Sequence, residues 1–300
     1  VLDESSVLAN WSGETKRALI RKFRQTPYKL ACTATPAPND VVELCNHADF
    51  LGVMQQSEMI ARFFTPKGVE NSANGNYRIK PHARKDFFRW LASWAVACKT
   101  PSDLGCPDDG YILPPLEILA EIVPTDWAPV GQLFLTKLKC VVERAGVRRD
   151  TISERVAAAA RLVAAKPDER WLLLYGLLSE AAALEKAVPG SVVLRGADTA
   201  ERKDEVLSAF SRGEIPVLIT HCSIAGLGMN FQVCSRMAFV GLSDSYQAYY
   251  QAIRRCWRFG QTKVVRAHIV LSEPERAVYE NVLRKEREAH DLTRELVAAT

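Results

Sequence analysis

Short runs of β-branched and aromatic residues alternate with stretches of helical periodicity along most of the 300 residues. That alternation predicts an α/β fold built on parallel sheets. Val1-Leu2 reads as the end of a buried strand, and Tyr28–Thr33 as a short one. Between them Glu14–Arg24 sets Ala18, Leu19 and Phe23 on one helical side. Asp40–Cys45 opens a helix with Asp40 as its first-turn acid, and Gln55–Phe64 is another. Gly68–Lys80 is rich in Asn and Gly and reads as a loop or exposed insertion. In Arg84–Cys98, Phe87, Phe88, Leu91, Trp94 and Ala95 fall at helical intervals. Pro101–Gly110 is a turn-rich break, and Leu116–Val123 is a strand.

A long helical stretch from Val130 to Ala165, alanine-rich at Val156–Ala160, reads as a bridge between two domains. The expected division is residues 1–125, a helical linker 126–165, and residues 166–300. In the second domain Trp171–Tyr175, Ser191–Leu194, Pro216–Thr220, Met237–Val240 and Val264–Val270 read as strands. Helices are expected at Glu180–Ala187, from Asp198 to Arg212, at Tyr246–Arg255, and at Pro274–Leu296. Asp198-x-x-Glu201 has capping-box spacing and Gly213 is the matching stop. The last helix carries mixed charges and reads as a solvated helix lying on the second domain.

Composition narrows the class. Hydrophobic residues are 48% and charged ones 25%, which excludes a disordered or collagen-like chain. Apolar runs such as Trp171–Leu178 fall short of a bilayer span, so no membrane partner is expected. The chain starts Val-Leu-Asp-Glu, with no Met and no secretory n- or h-region, and reads as a piece of something longer. Eight cysteines form no C-x-x-C pair, and several lie in apolar contexts. Free thiols in a reducing, cytoplasmic compartment follow from that. Cys45-x-His47 lacks a second ligand pair at metal spacing. The net charge is only +4, yet Ala248–Val270 holds Arg254, Arg255, Arg258, Lys263 and Arg266 with no acid. That is a local anion-binding candidate.

In open parallel sheets, chemistry sits beyond the carboxyl ends of strands. Asp3-Glu4 follows the first strand, where one carboxylate suits a Mg²⁺ shell and the other a water, although a solvated turn has the same composition. Thr33-Ala34-Thr35-Pro36 ends the next strand, as a stiff turn or as a hinge sensing those carboxylates. Ala225–Gln232 offers glycines for close backbone approach, with Asn230 and Gln232 as hydrogen-bonding groups. Gln251, Arg255 and Arg258 recur at intervals of four and three, on one face of a helix or at its end. Arginine suits developing phosphoryl charge; a solvated basic face is the plainer alternative. Basic and aromatic residues interleave at Tyr77–Trp90, as a DNA-contacting insertion or as an amphipathic helix.

In order and separation these segments resemble the later motifs of a superfamily 2 helicase of the Swi/Snf type. Asp3-Glu4-Ser5-Ser6 matches motif II, Thr33–Pro36 with Asn39 motif III, Gly226–Gln232 motif V, and Gln251–Gln261 motif VI. Gly196, Arg202 and Phe210 match the approach to the second lobe's motifs, and Trp90, Trp94 and Pro101–Gly105 resemble the phage and prophage branch. Ser6, Ala225, Arg254 and Trp257 stand where many relatives have His, Gly, Asp and His. The resemblance implies two RecA-like lobes with parallel sheets, the first truncated at its N-terminus, that sandwich ATP and track along nucleic acid, usually duplex DNA. It implies Asp3 on Mg²⁺, Glu4 on the attacking water, and Arg255 and Arg258 as arginine fingers. It also implies Gln251 at the γ-phosphate, Gly228 and Asn230 linking nucleotide to DNA, and Thr33 and Thr35 as coupling residues. No Gly-x-x-x-x-Gly-Lys-Ser/Thr loop occurs in the chain. A fragment that begins at motif II would lack it, and the intact protein would be the ATPase. A non-enzymatic nucleic-acid-binding module and an RNA-directed helicase are the alternatives.

Overall fold

The computed structural model describes residues 1–299 apart from 12, 68–76, 126–140, 226–228 and 244, and omits the side chains of 141–145 and 225. The chain divides into two compact units, Val1–Asp108 with Arg284–Thr300, and Asp109–Leu283.

The first unit is mostly helical. Its elements are α1 (Glu14–Lys22), α2 (Leu44–Leu51), α3 (Gln56–Phe63), β1 (Phe64–Pro66), β2 (Tyr77–Ile79) and α4 (Arg84–Ala92). Asp40 caps the turn that leads into α2, accepting from Val42 N. The core gathers Val42, Met59, Phe63, Phe87, Phe88 and Leu91. Phe87 and Phe88 point inward while Arg89 stays exposed, so the Arg84–Trp90 part of the interleaved basic and aromatic stretch is an amphipathic helix face, and Tyr77–Ile79 is strand. α4 ends at Ala92, where the sequence pattern extends to Cys98, and Ser93 Oγ donates to the Trp90 carbonyl at the break. β2 lies inside the expected loop and pairs antiparallel with β1.

The two strands expected at the start of this unit reduce to one parallel bridge, Leu2 to Ala31. Leu2 N donates to Leu30 O at 2.7 Å and Cys32 N to Leu2 O at 2.9 Å. Two residues of the first segment cannot satisfy more of a ladder than that. The parallel sheet expected of this unit is otherwise missing among the described residues.

The second unit is α/β, around a six-stranded all-parallel sheet of order β3-β8-β7-β4-β6-β5. Its strands are β3 (Leu116–Val123), β4 (Trp171–Tyr175), β5 (Val192–Leu194), β6 (Val217–His221), β7 (Arg236–Val240) and β8 (Val265–Ser272). The helices are α5 (Val141–Asp150), α6 (Ile152–Ala164), α7 (Leu178–Ala187), α8 (Ala200–Ser211), α9 (Cys222–Ala225), α10 (Tyr246–Cys256) and the start of α11 (Arg276–Ala299). β4 is buried at all five positions, the signature of a central strand covered on both faces.

Four expectations shift here. β3 does not belong with residues 1–125: it pairs in parallel with β8 over eight residues, Leu116–Val265 to Val123–Ser272. Glu121 meets His268 at 3.1 Å across that ladder, and Glu117 pairs with Arg266. The described part of the linker is two helices broken at Thr151. The Arg148 carbonyl, which would accept from residue 152, is taken by the Arg155 guanidinium. α8 is capped by Thr199, whose Oγ1 accepts from Arg202 N at 3.3 Å, while Asp198 accepts from Arg195 N. Lastly, the distal part of α11 packs in the first unit: Leu292 and Leu296 join the core around Phe63 and Phe87.

Four charges are sunk in the second unit. Arg155, Glu180 and Glu275 are fully buried. Arg155 donates to Glu180 at 2.7 Å and lies 3.4 Å from Glu275; Arg148 lies 3.9 Å and 3.6 Å from the same two acids. Glu180 also accepts from Gly176 N and Leu177 N, each at 2.8 Å. A Cβ on Gly176 would stand 2.1 Å from Arg148 Nη2, so the glycine after β4 makes room for the guanidinium. The two pairs fasten α5 and α6 to the carboxyl edge of β4 and β8.

Candidate functional site

Asp3 and Glu4 are both exposed. Asp3 Oδ1 accepts from Glu4 N at 2.8 Å. Glu4 sits at φ 48°, ψ 46°, the one non-glycine residue with positive φ among those described. Such left-handed strain at a glutamate persists only where surrounding bonds enforce it. They do so here, because Ser5 N is tied to Cys32 O at 2.9 Å and Leu2 to Ala31. The acidic pair is thereby held at the mouth of the bridge, next to the segment that carries Thr33 and Thr35.

That segment is a tight turn: Thr35 N donates to Thr33 Oγ1 at 3.1 Å, and Thr35 is buried. Asn39 closes it from the other side, giving its backbone N and Nδ2 to the Glu43 carboxylate at 3.0 Å each. Burial raises the Glu43 pKa against those hydrogen bonds.

Two residues beneath the acidic pair were not singled out as site residues in the sequence. Asn46 is fully buried; its Nδ2 donates to Leu8 O at 2.9 Å and Ala9 O at 3.2 Å. Its Oδ1 accepts from Gln56 Nε2 at 2.6 Å and Lys16 Nζ at 3.2 Å. His47, also buried, turns toward the backbone of Glu43 and Ser5; burial pulls its pKa below 6.5, partly opposed by those groups. The available signal was a polar Asn-His pair inside an otherwise apolar helix. Cys45 beside them is a buried thiol, pushed up to about 12 by its burial.

His47 gives a pH test. The folded state holds the ring neutral below the pKa of the unfolded chain, so the stability it contributes is intact above pH 6.5 and falls as pH drops below it. Replacing His47 with Gln is expected to flatten the loss of stability as pH falls below 6.5, read from urea midpoints. Glu43 acts with the opposite sign at lower pH, and the wild-type minus variant difference separates the two. An unchanged difference curve over that window would refute the assignment.

In the second unit α10 carries Gln251 and Arg255, both half-buried, while Arg258 follows beyond the helix end. Asn230 lies nearby in the chain's return to β7, its Oδ1 accepting from Gln232 N at 3.1 Å. Phe231 N donates to Arg255 O at 2.9 Å, and Arg258 Nη1 reaches Met229 O at 3.4 Å. So the residues flanking Asn230 touch Arg255 and Arg258, through Phe231 N and Met229 O. Gly228 lies outside the described residues. Arg258 meets no carboxylate among the described residues, and Arg254 is drawn off to the Trp257 ring at 5.0 Å.

The fastener of this cluster is Gln261. It is buried, and its Nε2 donates to Gln232 O, Cys234 O and Cys256 O at 2.9, 3.2 and 3.1 Å. Its Oε1 accepts from Thr262 N and Lys263 N. One amide thus pins the glycine-rich segment, the approach to β7 and the end of α10 to each other. For Mg²⁺ the fitting donors are exposed carboxylates that leave room for waters and phosphates, which describes Asp3 and Glu4. No group of three or more metal-ligating side chains occurs among the described residues, and no described helix is long and apolar enough to cross a membrane.

Residues 172–260 match the family model described as helicase conserved C-terminal domain. That span runs from β4 through α10 and includes Asn230, Gln251, Arg255 and Arg258. No curated protein matches the chain. Among solved structures, the C-terminal part of the Fun30 ATPase domain aligns with TM-score 0.40 and 16% identity, over 49% of this chain and 55% of that one. A DEAD box protein from the hyperthermophile Methanococcus jannaschii aligns with TM-score 0.37 and 20% identity, over 46% and 37%. The chain therefore spans about half the length of the first of these and less of the second.

Proposed function

We propose that this chain is the later part of an ATP-dependent helicase or translocase of the Swi/Snf type, acting on double-stranded DNA. The observation that carries the reading is Arg258. It lies inside the helicase-matching span, just past the end of α10, and among the described residues its guanidinium meets nothing stronger than one carbonyl at 3.4 Å. A buried arginine normally finds a carboxylate, as Arg155 does. One left half-buried and uncommitted beside Arg255 suits a charge supplied by a ligand.

In this reading Arg255 and Arg258 stabilise charge developing on the transferred phosphoryl oxygens. Gln251 contacts the γ-phosphate, while Gly228 and Asn230 carry the nucleotide state toward DNA. Asp3 would hold Mg²⁺ through water, and the ion would neutralise phosphate charge when bound. Glu4, fixed by its left-handed backbone, orients the water, with Thr33 and Thr35 as the turn that moves with it. The matching span and the donor chemistry of Asp3 and Glu4 support ATP and Mg²⁺ as the cofactors. The phosphate-binding loop would come from sequence preceding Val1, and the chain alone is expected to bind ATP weakly and not to hydrolyse it. The setting is the cytoplasm of a bacterial or phage-infected cell.

The deciding experiment is ATP hydrolysis by the protein that includes the preceding sequence, with no nucleic acid, duplex DNA or RNA at one stated salt concentration. Stimulation by duplex DNA is expected. Stimulation by RNA alone would favour an RNA-directed enzyme, and binding without hydrolysis a non-enzymatic module.

A further inference from the structure

Phe259 follows Arg258 directly and is thrown into solvent. The turn Arg258–Gln261 closes through Gln261 N to Arg258 O at 3.0 Å, with Gly260 at φ 91°. A side chain on Gly260 would be strained at that φ and would meet Gln232 Oε1 at 2.3 Å, so the turn is held in one form. Phe259 is left 64% exposed. It is not alone: the Tyr111 ring, 58% exposed, lies 5.5 Å away at 35°. Ile112 beside it is 82% exposed. Three large apolar side chains kept in water, Phe259 on this rigid turn and Tyr111 and Ile112 on the segment beside it, are a surface built to be covered.

Charge says what covers it. On the Phe259 side stand Arg258 and the exposed Lys263; on the Tyr111 side the nearest charge in the chain is the exposed Asp109. Arg266, the other basic residue of this stretch, is already paired with Glu117. An occupant with an anionic end and a flat uncharged end fits that polarity. Trp257 does not extend the wall into a row: Arg254 lies against its ring and its indole N donates to Pro114 O at 2.7 Å. Successive bases of a strand want several such platforms, whereas one two-ring wall suits one base.

We propose that Phe259 and Tyr111 form the base-stacking wall for the nucleotide whose phosphates meet Arg258. This rests on the nucleotide reading above and adds the subsite for the base. The test compares ATP with inorganic tripolyphosphate, which has the phosphates and no base, by calorimetric titration at millimolar concentration. The proteins are the chain itself, Phe259→Ala, Phe259→Trp and Arg258→Ala, each checked by thermal melt. Base–aromatic stacking is worth roughly 5- to 150-fold in affinity, so wild type is expected to bind ATP about tenfold tighter than tripolyphosphate. Phe259→Ala is expected to erase that preference and leave tripolyphosphate unchanged; Phe259→Trp should restore it. Arg258→Ala should weaken both ligands. Equal binding of the two ligands by wild type, or a preference that survives Phe259→Ala, overturns the stacking wall and leaves the phosphate reading standing. Failure of both ligands to bind removes the two together. Loss of oligonucleotide binding in Phe259→Ala with ATP preference intact would give the wall to a nucleic-acid strand and also overturn the proposal.

Discussion

Arg258→Ala is expected to abolish nucleic-acid-stimulated ATP hydrolysis, by about 10³–10⁵-fold, in the protein that includes the preceding sequence. The expectation follows from where the side chain spends its bonding capacity. Among the described residues its hydrogen bond is a long one, to Met229 O, so truncation strands no buried partner there. Stability should therefore hardly move, and the melting temperature of the variant should match wild type. A large effect on rate with almost none on folding is what separates a phosphoryl-charge donor from a structural arginine. Hydrolysis at the normal rate would remove Arg258 from the mechanism. Arg254→Ala serves as the contrast: its guanidinium already faces Trp257, and its loss should leave turnover nearly intact.

The opposite profile is expected of Arg155. Substituting Met leaves Glu180 and Glu275, both fully buried, with hydrogen bonds from Gly176, Leu177 and Ser272 but only the more distant Arg148 as a countercharge among the described residues. Breaking one side of such a buried pair costs about 3–5 kcal/mol. Urea denaturation should show that loss, with the second unit melting early. Arg155→Met combined with Glu180→Met should cost less than the two single changes summed, because the pair leaves together. A single-variant loss under about 1 kcal/mol would mean that water or Arg148 already satisfies these acids. The network also explains two helices where the sequence suggests one. Arg155 takes the Arg148 carbonyl, and the ladder is interrupted at Thr151.

The strands of the second unit were legible because each is a short apolar run closed by a glycine or a turn. Trp171–Tyr175 came out at its expected residues, and Met237–Val240 and Val264–Val270 within two of theirs. The helix that carries Gln251 and Arg255 was legible too, expected at Tyr246–Arg255 and found at Tyr246–Cys256. Asn46 was not, nor was the fastening role of Gln261 at the end of the Gln251–Gln261 motif: each acts by pinning carbonyls from distant segments, and a carbonyl leaves no mark in a sequence.

By itself, then, the sequence determined the α/β class, the strands of the second unit and most helices, and the separation of acidic from basic candidate residues, all of which depend on local periodicity and residue chemistry. Tertiary structure alone decided that β3 pairs with β8, that the distal part of α11 joins the first core, that three charges are fully buried under the sheet edge beside a half-buried fourth, and that Glu4 is forced into a left-handed backbone. Those outcomes turn on which distant segments satisfy one another's hydrogen bonds and apolar faces. Local pattern carries no information about that choice, because many partners would have served each segment equally well until the whole chain was packed.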